Sequence, residues 1–213
     1  MESVAKQTVI LKKRGINTIL VGSGAKALGE QDAYKGQRAL LERWRRAFDR
    51  YSLEVGELLL TGEDLRYRGF IRHLILSRTL KERLMLINGD DNLNQGKGKN
   101  YEIAANNDLL AGYVAKSTGA NRLILLTSVD GVYDRYGRVA GIIRSRDQVK
   151  KDIVFEGKSE NGTGSMETKV DAALTFARLD AQRLAFIANG DEEDIIERLL
   201  SGETIGTRIQ VYD

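Results

Sequence analysis

Short apolar segments alternate with amphipathic helical segments along almost the whole chain of 213 residues, and this alternation restricts the fold more than any other feature. The apolar segments are short and end in Gly, Asn, Asp, Ser or Thr, as buried strands do where they enter polar loops. Strands that alternate with helices form parallel sheets with helices on both faces. The sequence therefore predicts an α/β protein with a mainly parallel sheet. The predicted strands are 16–21, 58–60, 84–87, 123–126, 184–188 and 208–212, with 142–143 and 153–155 as weaker candidates.

The segments between these strands carry apolar residues at helical spacing. His73, the single histidine, lies in one of them and is expected on a helix surface. Residues 92–100 show neither periodicity nor apolar content and are predicted to form a mobile loop. Neither an internal repeat nor a linker is visible, so residues 1–213 are predicted to form one domain with room for two lobes. The predicted helices are 2–14, 37–51, 66–83, one starting near 106, one ending near 181, and 192–200.

Composition narrows the possible functions. The chain has 33 Lys and Arg against 30 Asp and Glu, and these charges alternate along the helices, which argues against a nucleic-acid partner. It has no cysteine, hence no disulfide and no thiolate metal site. A single histidine excludes a histidine-rich metal site and nearly all Ser-His-Asp arrangements. No apolar run reaches the roughly 20 residues that span a bilayer, and no signal peptide is visible, so a cytoplasmic protein without a membrane partner is expected.

A glycine-rich turn from Gly162 to Lys169 runs into a predicted helix and points to a nucleotide. The unpaired N–H groups and the macrodipole at a helix N-terminus favour a phosphate group. Lys169 adds a mobile cation in the first turns of this helix. The turn therefore predicts a phosphate-binding site.

Most of the distinctive polar residues fall at the carboxyl ends of predicted strands, where open parallel sheets bind their ligands. Taken singly, Asn-Gly and Asp-Gly are common turns, and Ser23 or Asn107 could serve only as helix caps. Taken together they predict a site for phosphoryl transfer, which needs alignment and charge neutralisation by Lys and Mg²⁺ but no histidine. Glycoside hydrolysis by paired carboxylates would leave the glycine-rich turn without a role. The segments concerned are 22–24, 88–91, 107–108, 127–131, 162–169 and 189–190.

These segments, in this order, resemble the amino acid kinase family, and within it the glutamate 5-kinases, over essentially the whole chain. Val21 to Ala25 resembles V-S-S-G-A, and Asn88 to Asp91 resembles N-E-N-D. Further along, Leu125 to Tyr133 resembles L-L-T-D-x-D-G-L-Y and Gly162 to Lys169 resembles G-T-G-G-M-x-T-K. Four shorter segments also match motifs of the family. Gly36-Gln37 matches G-Q, and Leu58 to Asp64 matches L-L-L-T-x-x-D. Ala104 to Asp108 matches F-G-D-N-D, and Gly202 to Thr207 matches G-x-x-x-G-T.

The resemblance implies a three-layer α/β/α fold and ATP-dependent phosphorylation of the side-chain carboxylate of L-glutamate, the first step of proline synthesis. It implies ATP and Mg²⁺ as cofactors, a small-molecule substrate and a homo-oligomer, with no metal-ligating residue assigned. Lys169 would neutralise phosphate charge and Asp108 would orient the catalytic groups. The residues implied to hold the amino acid are Ser23, Gly24, Ala25, Asp91 and Asn107. The residues implied to hold ATP are Thr127, Ser128, Thr163, Gly164, Ser165, Met166, Glu167, Thr168 and Lys169.

The chain also departs from this family pattern. The family begins with a strand and a K-x-G-S turn, whereas this chain is expected to begin within the helix that follows them. Ser165 stands where the pattern has Gly, and Ser128 and Asn106 stand where it has Asp. Two other interpretations therefore stay open: a non-catalytic relative that binds a nucleotide, an amino acid or a partner subunit, and a kinase of another small carboxylate or phosphate acceptor.

Overall fold

The computed structural model describes residues 1–29, 32–67, 69, 72–73, 83–90, 93–155 and 165–211. Its contacts divide the chain into two compact units. The first unit contains Met1–Leu110, and the second contains the described residues of Ala111–Lys158 and Gly164–Asp213. The single-domain organisation of residues 1–213 stays a prediction.

A parallel sheet organises the first unit. Its strands are β1 (Ile19–Val21), β2 (Val55–Leu60) and β3 (Leu84–Gly89), in the order β1-β3-β2. Both pairings are parallel, and all six residues of the central strand β3 are buried. The helices of this unit are α1 (Glu2–Lys13), α2 (Ala25–Leu28), α3 (Ala33–Asp49), α4 (Lys99–Ala105) and the first part of α5 (Asn107–Thr118), with a 3-10 turn at Asp64–Arg66.

Helix α3 supplies much of the core of the first unit. Leu40, Trp44 and Phe48 recur every four residues on one helix face and are buried together with Leu84 and Leu86 of β3. The rings of Trp44 and Phe48 stack with their centroids 5.9 Å apart. Burial of each such side chain stabilises the fold by about 1.5–3 kcal/mol relative to an exposed one.

The N-terminus of α3 is capped by Asp32, which explains where this helix begins. The Asp32 carboxylate accepts a 3.0 Å hydrogen bond from the backbone N–H of Lys35. This bond to the charged form lowers the pKa of Asp32 below its ordinary value.

The elements of the second unit are the remainder of α5, β4 (Arg122–Thr127), β5 (Ile142–Ile143), α6 (Arg146–Asp152), α7 (Met166–Ala177), β6 (Leu184–Asn189), α8 (Ile195–Leu200) and β7 (Thr207–Ile209). The four strands form a sheet in the order β4-β6-β7-β5. The β6–β7 pairing is antiparallel and the other two are parallel. Helix α7 packs against β4, β6 and β7, and its residues Val170, Ala173, Leu174 and Ala177 are buried.

The predicted α/β class with mainly parallel strands is confirmed, and several element boundaries are corrected. Strand β1 begins at Ile19 and not at residue 16, because Ile16 is 44% exposed and follows the turn that ends α1. Helix α3 begins at Ala33 and not at residue 37, because Asp32 caps it. Elsewhere, β2 begins at 55, α7 ends at 177, α8 begins at 195 and β7 spans 207–209.

Three helices were not predicted. Helix α2 (Ala25–Leu28) lies between the predicted strand 16–21 and the predicted helix 37–51, and its four residues are too few to show a helical period. Residues 99–100, assigned to the mobile loop, open helix α4. Helix α6 lies in the stretch 133–161, which has no clear period; its Ser145 side chain accepts a hydrogen bond from the Gln148 backbone N–H at 3.1 Å. Of the predicted helix 66–83, most residues lie outside the described part, but His73 is described and exposed. Among the described segments, no helix combines the length and the apolar character needed to cross a membrane.

Candidate functional site

The carboxyl ends of the three strands of the first unit meet at one edge of its sheet. Strand β1 pairs with β3 up to Val21 and Ile87, and the backbone N–H of Gly22 donates to the Ile87 carbonyl at 2.9 Å. Strand β2 pairs with β3 up to Leu60 and Gly89. The turns that leave β1 and β3 therefore lie side by side, as predicted for a binding edge.

The turn from Gly22 to Ala25 joins β1 to helix α2. Gly24 adopts φ +98°, a left-handed conformation that favours glycine, and forms the N-cap of α2. No side chain caps α2, so Ser23 does not have the capping role that the sequence left open. Ser23 is exposed and Ala25 is buried.

Asn88, at the end of β3, is a polar residue with 2% of its surface exposed. Its Oδ1 accepts a hydrogen bond from the Gly89 backbone N–H at 2.9 Å, whereas its Nδ2 has no acceptor among the described residues. Buried polar groups in proteins are normally hydrogen-bonded. Asn88 is therefore a candidate ligand-binding residue; the sequence placed it in the predicted site segment 88–91 without a role of its own. The neighbouring Asp91, predicted to bind the amino acid, lies outside the described residues.

Helix α5 follows α4, whose Ala104 carbonyl oxygen lies against Gly89 at this edge. The residue that caps α5 is not the one that the sequence indicated. The side-chain Oδ1 of Asn106, and not that of Asn107, accepts hydrogen bonds from the backbone N–H groups of Asp108 at 3.0 Å and Leu109 at 3.2 Å. Asn107 and Asp108 occupy the first turn of α5 and are half-buried. Their roles in holding the amino acid and in orienting catalytic groups stay predictions.

Gly36 and Gln37 connect these segments, a structural role that the sequence analysis did not identify. Gln37 is 4% exposed, and its Nε2 donates to the Gly89 carbonyl at 2.6 Å. A Cβ atom on Gly36 would overlap the carbonyl oxygen of Ala25. Helix α3 thus holds the turn after β1 through Gly36 and the turn after β3 through Gln37. The only sequence signal for this role was the resemblance of Gly36-Gln37 to the G-Q motif.

In the second unit, the carboxyl ends of β4 and β6 also lie side by side. Thr127 pairs with Asn189 in the register, and the Gly190 backbone N–H donates to the Thr127 carbonyl at 2.8 Å. The side-chain Nδ2 of Asn189 donates to Asp130 Oδ1 at 3.1 Å. Ser128 is exposed and Thr127 is half-buried.

Helix α7 begins in the same unit with a reciprocal cap. The backbone N–H of Thr168 donates to Ser165 Oγ at 3.2 Å, and the backbone N–H of Ser165 donates to Thr168 Oγ1 at 3.0 Å. Both side chains, predicted to contact ATP, are thus engaged in capping. The first amides of a helix have no partners within the helix, so Met166 and Glu167 present backbone donors at this end. Lys169 is half-buried in the first turn. Thr163 and Gly164 lie outside the described residues.

The described side chains contain no cluster of three or more His, Cys, Asp or Glu residues that could hold a metal ion. Mg²⁺ in kinases is commonly bound through one or two carboxylates and the phosphates of the nucleotide, so it needs no such cluster. The phosphate groups of a nucleotide fit the N-terminus of α7, because backbone amide donors and Lys169 share its first turn.

Comparisons with known proteins show which family the chain resembles in sequence and fold. The model of the amino acid kinase family matches residues 1–189. The chain is 32% identical to a glutamate 5-kinase of Methanosarcina acetivorans, covering 97% of this chain and 59% of that protein. It is 30% identical to a glutamate 5-kinase of Lactiplantibacillus plantarum, covering 92% and 83%. Carbamate kinase from Giardia lamblia bound to AMP-PNP shares the fold with a TM-score of 0.69 at 17% identity, covering 99% of this chain and 89% of that one.

Proposed function

The chain belongs to the amino acid kinase family, and we propose that it transfers the γ-phosphoryl group of ATP to the side-chain carboxylate of L-glutamate. The observation that carries this proposal is the 32% identity to a glutamate 5-kinase along 97% of the chain. The chain spans 59% of the length of that relative. The geometry of the two sheet edges supports the same reaction, one edge for each substrate.

The second unit supplies the features expected of the ATP site. The amides of Met166 and Glu167 open helix α7, and Lys169 adds a positive charge within its first turn. Thr127 and Ser128 follow β4 in the same unit. These residues would bind the triphosphate, and Lys169 would offset the charge that develops on the transferred group.

The first unit supplies the features expected of the acceptor site. Ser23, Gly24 and Ala25 follow β1, which pairs with β3. At the end of β3, the buried Nδ2 of Asn88 lacks an acceptor among the described residues. A carboxylate oxygen or a carbonyl oxygen of the amino acid would satisfy this donor. A Cβ on Gly89 would overlap the Ala104 carbonyl oxygen, so the end of α4 lies against this turn, close in sequence to Asn107 and Asp108.

The chemistry is consistent with a chain that has a single histidine. The side-chain carboxyl of glutamate, with a pKa of about 4.3, is ionised at neutral pH and needs no general base. Its oxygen forms the new bond to the γ-phosphorus while the bond between that phosphorus and the β–γ bridging oxygen of ATP breaks, and this oxygen leaves as part of ADP. Mg²⁺ supplies further charge neutralisation when it is bound with ATP. The protein has to align two anions and offset their repulsion, which backbone amides and lysine can do.

The test is release of ADP by the purified 213-residue chain in the presence of MgATP and each of a set of acceptors. We expect ADP release that depends on L-glutamate, with little release for aspartate, acetylglutamate or carbamate. Lys169→Ala serves as the matched inactive control. ADP release with another acceptor and none with glutamate would assign a different substrate. ATP binding without release for any acceptor would favour a non-catalytic relative.

A further inference from the structure

The Gly206-Thr207 pair at the start of β7 belongs to the G-x-x-x-G-T resemblance, and the proposed reaction assigns it no role. Gly206 adopts φ +66°, and a Cβ atom there would lie 2.6 Å from the Ile187 carbonyl oxygen. Only glycine allows the chain to pass so close to β6 in this conformation. The close approach places Thr207, which is completely buried, at a defined position beside the end of β6.

The hydroxyl group of Thr207 holds the turn that follows β4. The backbone N–H of Val132 donates to Thr207 Oγ1 at 2.9 Å, and both residues are completely buried. A Cβ atom on Gly131 would lie 2.8 Å from the same oxygen and 3.2 Å from the Thr207 backbone nitrogen. The turn therefore lies directly on Thr207, with no room for a side chain between them.

The same turn has a second attachment. Asp130 Oδ1 accepts a hydrogen bond from Asn189 at the end of β6, at 3.1 Å. The turn is thus held by β6 through Asp130 and by β7 through Gly131 and Val132. Ser128 and Val129, which precede these attachments, are exposed. A turn that is ordered before its ligand arrives does not lose further conformational entropy on binding.

We propose that Thr207 is a positioning residue for the nucleotide: its buried hydroxyl fixes the turn from Thr127 to Val132 in the conformation that binds ATP. This inference rests on the proposed function, which assigns Thr127 and Ser128 to the ATP site. Thr207 would act through the backbone of Gly131 and Val132, without touching the nucleotide.

The test compares Thr207→Val, which keeps the shape but removes the acceptor oxygen, with Thr207→Ser, which keeps the oxygen. Loss of the oxygen leaves the Val132 N–H buried without a partner, a situation costly enough to displace the turn. We expect Thr207→Val to weaken ATP binding by about tenfold in titration calorimetry. Thr207→Ser should bind within about twofold of the wild type. In kinetics, Thr207→Val should raise the KM for ATP and leave the KM for glutamate unchanged.

Thr118→Val is the matched control in the second unit. It also removes a threonine hydroxyl, but this one donates to the Val114 carbonyl within helix α5 at 2.8 Å. We expect its ATP affinity to equal that of the wild type. Amide hydrogen exchange at Val132 should accelerate in Thr207→Val and stay unchanged in Thr118→Val.

The outcomes separate this inference from the proposed function. A wild-type chain that does not bind ATP would overturn the proposed function and this inference with it. A wild-type chain that binds ATP, together with a Thr207→Val variant of equal affinity, would overturn this inference alone. If Thr207→Val does not fold, Gly131→Ala tests the inference instead. The Cβ atom that this substitution adds would push the turn away from Thr207, whose hydroxyl group is still present. Equal ATP affinity of Gly131→Ala and the wild type would then overturn the inference.

Discussion

At the scale of single residues, Ser165 shows how this chain differs from the family pattern without losing the helix end. The pattern has glycine at this position, but Ser165 has φ −98°, which any L-residue adopts. Its hydroxyl instead accepts the Thr168 N–H and caps α7. Serine in place of glycine at position 165 therefore gives up the backbone freedom of glycine and gains a side chain that caps α7.

This cap gives a stability prediction. Ser165→Ala removes the acceptor of the Thr168 N–H and should lower the free energy of unfolding by about 1 kcal/mol. Urea denaturation followed by circular dichroism measures this difference. Ser165→Asn, which keeps an acceptor oxygen, should retain most of the stability. An alanine variant as stable as the wild type would show that the cap contributes nothing.

Lys169 gives a binding prediction at the same scale. Lys169→Ala removes a charge in the first turn of α7 and should weaken ATP binding by about tenfold or more, because charged hydrogen bonds to phosphate are strong. Lys150→Ala, in the last turn of α6, is the control and should bind ATP like the wild type. Calorimetric titration with ATP measures both variants. Equal ATP affinity of Lys169→Ala and the wild type would show that the glycine-rich turn only begins a helix and does not bind phosphate.

At the scale of secondary-structure elements, the strands were easier to predict than helices α2, α4 and α6. Strand β3 lies between two parallel neighbours and is buried throughout, so its first four residues, 84–87, appear in the sequence as a continuous apolar run. Helix α6 has no buried residue and therefore no apolar stripe. The spacing of Ser145 and Gln148, typical of a capping box, was the signal that could have identified it.

Parts of the candidate site could not be predicted because they depend on contacts between distant positions. Gln37 bonds to Gly89 across 52 positions, and Val132 bonds to Thr207 across 75 positions. No local period encodes such pairs. By contrast, the location of Ser23 and Asn88 at one sheet edge was predicted, because both residues lie at the carboxyl ends of strands that were expected to be parallel.

Two glycines in helices give opposite predictions for the same substitution. A Cβ on Gly36 of α3 would overlap the Ala25 carbonyl oxygen, whereas a Cβ on Gly112 of α5 would make ordinary contact with Ala172 at 3.5 Å. Gly36→Ala should therefore lower the free energy of unfolding by about 1–3 kcal/mol through overpacking. Gly112→Ala should raise it by about 0.5–1 kcal/mol through helix propensity.

Thermal and urea denaturation of the two variants measure these effects, each serving as the control for the other. Destabilisation by both substitutions would contradict the prediction that a Cβ atom on Gly112 fits against Ala172 without overlap. A Gly36→Ala variant as stable as the wild type would show that α2 and α3 do not approach each other as described.

At the scale of the whole molecule, a chain that belongs to one family folds into two compact units. The family was identified from the order of short motifs, and the comparisons confirm it. Both units carry polar turns at the carboxyl ends of their parallel strands. The assignment of the acceptor to the first unit and of ATP to the second, and the homo-oligomer implied by the resemblance, stay predictions.

The most direct test of the account is identification of the product made from glutamate. Phosphorylation of a carboxylate gives an acyl phosphate, which hydroxylamine converts to a hydroxamate. The chain is incubated with MgATP, L-glutamate and hydroxylamine, and the hydroxamate and ADP are quantified by mass spectrometry. We predict the hydroxamate of the glutamate side chain in an amount equal to ADP, and neither product from Lys169→Ala. ADP release without any hydroxamate, or no release while ATP binds, would contradict it.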